Sequence, residues 1–192
     1  MKIIGIAGAA RAGKDSLGRV LCENSDPRFP LLRGAFADEL KREIFDFIWG
    51  NFKIDIFTCT NEEKTIIRPL LIGHGEARRA QNPDYWVKKL FENLSETVET
   101  WIDGRSETVV VQGYCITDVR YLNEARYIQK EGGKIVFLER AGNEPTFKEK
   151  ETLPVVEEIA DLKIRASNFD SEVMTLKYFH DLLNSGGLDG VL

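Results

Sequence analysis

Histidine and cysteine are both scarce in this chain. Two histidines in 192 residues nearly exclude a histidine-rich metal site. The three cysteines, Cys22, Cys59 and Cys115, are odd in number and far apart. That pattern fits reduced thiols in a cytoplasm better than a disulfide frame or a zinc site. A basic surplus is also missing: 26 Lys+Arg stand against 31 Asp+Glu, a net charge of −5. Nothing here attracts nucleic acid or an anionic membrane, so a phosphorylated ligand would need its own local cluster of arginine and lysine. No apolar run approaches membrane-spanning length, and Met1 is followed within a few residues by a glycine-rich stretch rather than a signal peptide. A cytoplasmic location without nucleic-acid or membrane partners is therefore expected. Repeats and low-complexity linkers are absent too. What remains is ordinary for a globular chain, 43% hydrophobic and 30% charged, of a length that suits one domain with room for an inserted subdomain.

The order of elements is legible from periodicity. KIIGIA, Lys2 to Ala7, reads as a buried strand, and Leu17, Val20 and Leu21 recur at helical spacing after it. Leu31 to Phe36 is a second apolar stretch, followed by an amphipathic helix through Leu40, Ile44, Phe45 and Ile48. Polarity is mixed from Asn51 to Lys64. Tyr85, Trp86, Leu90, Leu94, Val98 and Trp101 then follow a helical pattern, which predicts one packed helix. Thr108 to Thr117 is strand-like but interrupted at Gly113, so one bent strand and two short ones are both open. Tyr121 to Glu131 reads as a helix stopped by Gly132-Gly133, Lys134 to Leu138 as a strand, Asp161 to Ala166 as a last strand and Ser171 to Leu183 as a final helix. The fold class expected is α/β: a P-loop three-layer sandwich with a mostly parallel central sheet and helices on both faces. Residues 1–192 form the domain, with 51–104 as a helical insertion.

The chemistry starts at GIAGAARAGKDSLGRVL. Gly8, Gly13 and Lys14 have G-x-x-x-x-G-K spacing between a strand and a helix. Glycines there let backbone N–H groups turn inward on phosphate oxygens, the lysine adds charge, and the helix N-terminus adds its partial positive end. Asp15 stands where a hydroxyl residue is usual, and the hydroxyl comes one place later, at Ser16. Successive helix residues point about 100° apart, so that shift re-aims it toward the α-phosphate side. A metal would then be held mostly by phosphates and water, with Asp15 either orienting a water or facing solvent. The lysine-any-hydroxyl order leans toward a phosphoryl-transfer enzyme over a nucleotide switch.

A second group of charges lies in RPLLIGHGEARRAQNPDYWV, Arg68 to Val87, where Arg68, Arg78, Arg79 and Glu76 gather around an expected glycine turn. Arginine forks are suited to a second anion, although a solvated charged helix start has the same composition. CITDVRYLNEA puts Asp118 and Arg120 at the end of a strand. Strand carboxyl ends line the ligand crevice of an open parallel sheet, so both belong near the phosphate loop.

On four segments in order the chain resembles the bacteriophage-type deoxynucleoside monophosphate kinases, relatives of adenylate kinase. They are GAARAGKDS, FADELK, RPLLIGHGEARRAQNPDYWV and CITDVRYLNEARYIQKEGGKIVFLER, together spanning most of residues 1–140. The third is the most specific: arginine, paired leucines, a glycine-centred turn, an acid, arginine three later, then tryptophan-valine. These fall on Arg68, Leu70-Leu71, Gly73 and Gly75, Glu76, Arg79 and Trp86-Val87. The chain departs from the family in carrying His74-Gly75 where glycine-threonine is common before the acid. It also lacks a histidine ahead of Glu157-Glu158.

The resemblance implies transfer of the ATP γ-phosphate to a deoxynucleoside monophosphate, with Mg²⁺, in a host cytoplasm if the chain is phage-encoded. ATP would be bound by Gly8, Ala9, Ala10, Arg11, Ala12, Gly13, Lys14, Asp15, Ser16 and Arg140. Lys14, Arg68, Arg79 and Arg120 would be catalytic. Arg68, Glu76, Arg79, Trp86 and Arg120 would hold the acceptor, with helix packing the competing reading for Trp86. Asp118 and Asp15 would act on the metal through water. The insertion at 51–104 would bind the monophosphate, and 141–154 would be either a lid over ATP or an ordinary surface loop. Small-molecule nucleotides are the expected partners, and a homodimer is left open. Two rivals stand beside this: a kinase of another phosphorylated acceptor, of the dephospho-coenzyme A or phosphomevalonate type, and a nucleotide-dependent binding or switch protein.

Overall fold

A computed structural model describes residues 1–167 and 171–192. The chain divides into two compact units, Met1–Gly34 with Ser95–Leu192, and Ala35–Leu94.

The first unit is built on a five-stranded sheet. Its strands are β1 (Lys2–Ala7), β2 (Leu31–Gly34), β5 (Gly113–Val119), β6 (Lys134–Arg140) and β7 (Leu162–Ala166). They lie in the order β2-β5-β1-β6-β7, and every pairing is parallel. A parallel sheet is covered on both faces, which is why β1 and β5 read as near-continuous apolar runs. Ile4 and Ile6 of β1 join Leu17, Val20 and Leu21 of α1 (Lys14–Glu23) and Phe179 of α7 (Glu172–Asn184) in one core. Ile128 of α5 (Leu122–Lys130) and Ile135 are fully buried beside Gly5, between those two side chains and Val119. This is the expected three-layer α/β sandwich. Cys22 and Cys115, distant in sequence, meet within it as free thiols.

Because all five strands run the same way, their carboxyl ends share one edge. Ala7 is paired with Val119 on one side and Phe137 on the other. The residues that follow β1, β5 and β6 are thereby delivered to a common crevice.

Two sequence expectations fail in this unit. The helical pattern from Tyr85 to Trp101 is broken after α4 (Tyr85–Glu92), and Val98 and Trp101 lie on β3 (Thr97–Ile102), paired antiparallel with β4 (Arg105–Val110). Asp103 and Gly104 both have positive φ, 50° and 78°, which is the two-residue Asp-Gly turn whose twist matches a hairpin. That dipeptide was the local signal. The interruption at Gly113 is thus the boundary between two strands in different sheets. The polar segment 141–154 is a loop only as far as Thr146. Phe147–Glu158 form helix α6, started by a capping box in which Thr146 and Glu149 each bond the other's backbone.

The second unit is helical: α2 (Phe36–Phe52), α3 (Asn61–Gln81) and α4. It begins and ends earlier than 51–104, because α2 clusters with the helices that follow it. The expected glycine turn at Gly73–Gly75 does not form. A capping box at Thr60–Glu63 starts α3, and the helix runs on through both glycines. Arg78 and Arg79 therefore lie in its last turn, where cations suit the helix dipole. Ile48, Ile54, Ile56 and Ile67 form this unit's own core.

Candidate phosphate-binding site

The loop between β1 and α1 has the conformation its glycines allow. Gly8 has φ 139°, and a Cβ there would sit 2.2 Å from the Leu138 carbonyl oxygen. Gly13 is left-handed at φ 100° and forms the N-cap of α1 without any side-chain cap. The first amides of that helix are thus left for another acceptor. Arg11 between them is also left-handed, φ 63°, an uncommon state for a residue with a Cβ.

Lys14 is nearly buried, 7% exposed, and folds back so that Nζ donates to the carbonyls of Gly8 (2.8 Å) and Ala9 (2.7 Å). Burial, and after it the Arg120 charge, pull its ammonium down from 10.5 to about 8, against Glu149, Asp15 and Asp118, which raise it. These four charges thus act on one point at the carboxyl edge of the sheet. Asp15 is exposed, and its Oδ1 accepts from Thr117 Oγ1 (2.7 Å) and Arg33 Nη2 (3.3 Å). Thr117 is 1% exposed, so the contact ties the start of α1 to β5.

Glu149, which sequence reasoning passed over, belongs here as well. Its Oε1 accepts from the Ala10 amide at 2.9 Å and lies 3.8 Å from Arg120 Nη1. Although burial works to raise it, bonds from Thr146 and Ala10 and the Arg120 charge hold this carboxyl below its ordinary value. The T-x-x-E spelling of the capping box was the available clue that a helix, with a fixed Glu149, starts at this point. Arg140 reaches the Arg11 carbonyl, Nη1 to O 3.4 Å.

A cleft of about 400 Å³ opens beside the loop, with Arg11, Lys14, Asp15, Ser16, Arg140 and Thr175 in its wall. That volume suits a small ligand. Among the described residues no three His, Cys, Asp or Glu side chains converge as a metal cage. A Mg²⁺ that arrives with phosphates would need only one or two carboxylates and waters; Asp15 and Asp118, whose charges act on Lys14, are the residues that would serve it.

The arginines and Glu76 of the other group all belong to α3. Arg68 and Glu76 are exposed and Arg79 is half-buried. Arg68 and Arg79 are eleven residues apart, which at helical rise is about 16 Å along the axis. Trp86 is corrected as a base-stacking residue: it is 1% exposed, its Nε1 donates to the Gly75 carbonyl at 3.2 Å, and the Tyr85 ring meets it edge-on. It is a packing residue of the helical unit.

Beside Trp86 lies a node the sequence did not announce. The Glu43 carboxylate accepts from Arg78 Nε (2.6 Å), Tyr85 Oη (2.5 Å) and Lys89, and His74 Nε2 lies 3.0 Å away. Burial would raise this carboxyl, but the bonds from Lys89, Tyr85 and Arg78 outweigh it and hold it at about 2. Arg78 is thereby engaged within the helical unit.

No protein-family model matches the chain, and no curated protein does. Among solved structures it is similar to an unliganded sugar kinase from a Janibacter species, at 10% identity over 95% of this chain and 94% of that one. The TM-score is 0.38, too low to carry an argument about this chain. Among the described residues, no helix is long and apolar enough to cross a membrane.

Proposed function

We propose that this chain is a kinase that transfers the γ-phosphate of ATP to a nucleoside monophosphate, a deoxynucleotide by its resemblance in sequence. The observation that carries the reading is the loop Gly8–Ser16, with Lys14 turned onto its carbonyls beside Arg120 at the carboxyl edge of a parallel sheet. An amide-lined turn opening a helix, with one buried ammonium and a guanidinium beside it, suits a polyphosphate.

In this reading Lys14 and the loop amides hold the β- and γ-phosphates, and Ser16 stands on the α-phosphate side. The nucleoside lies along the cleft walled by Arg140 and Thr175. Arg120 meets the charge that develops on the transferred group. Asp15 and Asp118 orient the waters of a Mg²⁺, which when bound would neutralise charge on the β- and γ-oxygens. The nucleophile is an ionised phosphate oxygen of the acceptor, so no general base is needed and the poverty in histidine costs nothing. Transfer of this kind rests on positioning and charge. Recognition of the acceptor is assigned to Arg79, Arg68 and Glu76 of α3. Given their spacing, Arg79 and Arg68 serve different parts of the acceptor rather than one phosphate.

The test is a transfer assay with MgATP over the common nucleoside monophosphates, deoxy and ribo, with dephospho-coenzyme A and phosphomevalonate beside them. ADP formation that depends on a deoxynucleoside monophosphate is the expected result. Dependence on one of the other two acceptors would move the chain to a different kinase class. ATP consumption indifferent to every acceptor would replace the proposal with a nucleotide switch.

A further inference from the structure

The peptide of Ala10 is gripped on both of its polar groups by the segment that follows β6. Its N–H donates to Glu149 Oε1 at 2.9 Å, and its C=O accepts from Asn143 Nδ2 at 2.7 Å. Its neighbour Arg11, held in the left-handed region, has its carbonyl met by Arg140. A non-glycine residue costs on the order of 1 kcal/mol in that conformation and keeps it only where its surroundings insist. The grip is itself rigidly mounted. Glu149 is 4% exposed, and its Oε2 accepts from both the backbone N–H and the hydroxyl of Thr146, each at 2.9 Å. Helix α6 carries Leu153 and Val156 into the interior.

We propose that Glu149 and Asn143 are positioning residues of the ATP site: together they clamp the Ala10 peptide, hold the phosphate loop open around its left-handed Arg11, and keep Arg120 beside it. This rests on the kinase reading for its purpose, though not for its geometry. It replaces the picture of 141–154 as a lid with that of a fixed brace. A carboxylate is required because two oxygens must accept at once, one from the loop and one from the helix cap. A glutamine has a single acceptor oxygen and must release one of the two.

Two measurements separate the clamp from a merely structural role. The first needs no nucleotide: hydrogen exchange of the Ala10 amide, followed by NMR in the full chain. It should be protected in the parent and exchange roughly tenfold to hundredfold faster in Glu149→Gln, the range expected for a lost hydrogen bond to a charged group. The second is MgATP affinity by calorimetry. Glu149→Gln should bind roughly tenfold or more weakly and Asn143→Ala roughly threefold, since that bond is between neutral groups. The double variant should lose less than the product of the two, because both act on the backbone of one residue. Unchanged Ala10 exchange in both variants overturns the clamp. So does MgATP binding as tight as the parent's, or tighter, in Glu149→Gln, which would make the carboxylate an occupant that phosphate displaces. Asn143 does not touch the helix cap, so its variant decides the matter even if Glu149→Gln folds poorly. A parent that fails to bind MgATP would sink the kinase reading, while the exchange measurement would still judge the clamp.

Discussion

Lys14 concentrates the chemistry of the candidate site into one side chain. Its ammonium is desolvated, shares its surroundings with Arg120, and is steadied by three carboxylates. Lys14→Ala should keep the fold and lose on the order of 10²-fold or more in turnover, comparable to removing one preorganised donor from an active site. Near-normal transfer would take the loop out of the mechanism. The lowered pKa makes a second prediction with opposite signs for two observables. Phosphate binding needs the charged form, so ATP affinity in the parent should fall as pH rises past about 8. Stability should move the other way. Between about 8 and 10.5 the unfolded chain binds more protons at this residue than the folded one, so the Lys14 contribution to folding rises over that window. Calorimetric titration and urea unfolding over the same pH series check both. The role proposed for Lys14 is legible in the G-x-x-x-x-G-K string, because the motif is local. That of Glu149 could not, since its partner Ala10 is 139 residues away.

At the scale of elements, sequence reading was right where a pattern was both local and uninterrupted. β1, α1, α5, β6, β7 and α7 all stand within a few residues of the expected positions. It went wrong where an apolar period continued by coincidence across a boundary. Val98 and Trp101 extend the spacing of Trp86 and Leu90, but Asp103-Gly104 demands a hairpin. Gly73 and Gly75 look like a turn, yet α3 runs on through them from its capped start, and Trp86 meets the Gly75 carbonyl. The Glu43 node works at this scale too, since it draws on α2, α3 and α4 at once. Glu43→Ala should destabilise the helical unit by about 2 kcal/mol, as expected when hydrogen bonds to a charged group are lost. Equilibrium unfolding in urea measures it, and a loss within error of zero would reduce the node to surface pairing. The depressed carboxyl sets the sign with pH. Its contribution is complete above 4.5, its unperturbed value, and is lost as pH falls toward about 2.

Taken whole, the molecule divides its residues between two units, and the proposed function divides its labour the same way. In that proposal ATP is assigned to the sheet-based unit and the acceptor to arginines on α3. Arg79→Ala should therefore raise the KM for the monophosphate while leaving the MgATP dissociation constant within about twofold, since in this reading Arg79 serves the acceptor and not ATP. A variant in which only ATP binding moved would undo that division. The sequence alone determined the α/β class, the order of most elements and the glycine-shaped loop between β1 and α1. Each of these depends on periodicity or on a short motif, which neighbouring residues express by themselves. Tertiary structure alone decided that Arg78 is bound to Glu43. It also decided that Asp15 is pinned by Thr117 and Arg33, and that a glutamate from α6 grips the loop. Those outcomes depend on which side chains meet across long stretches of chain, and such meetings are fixed by packing the whole fold at once.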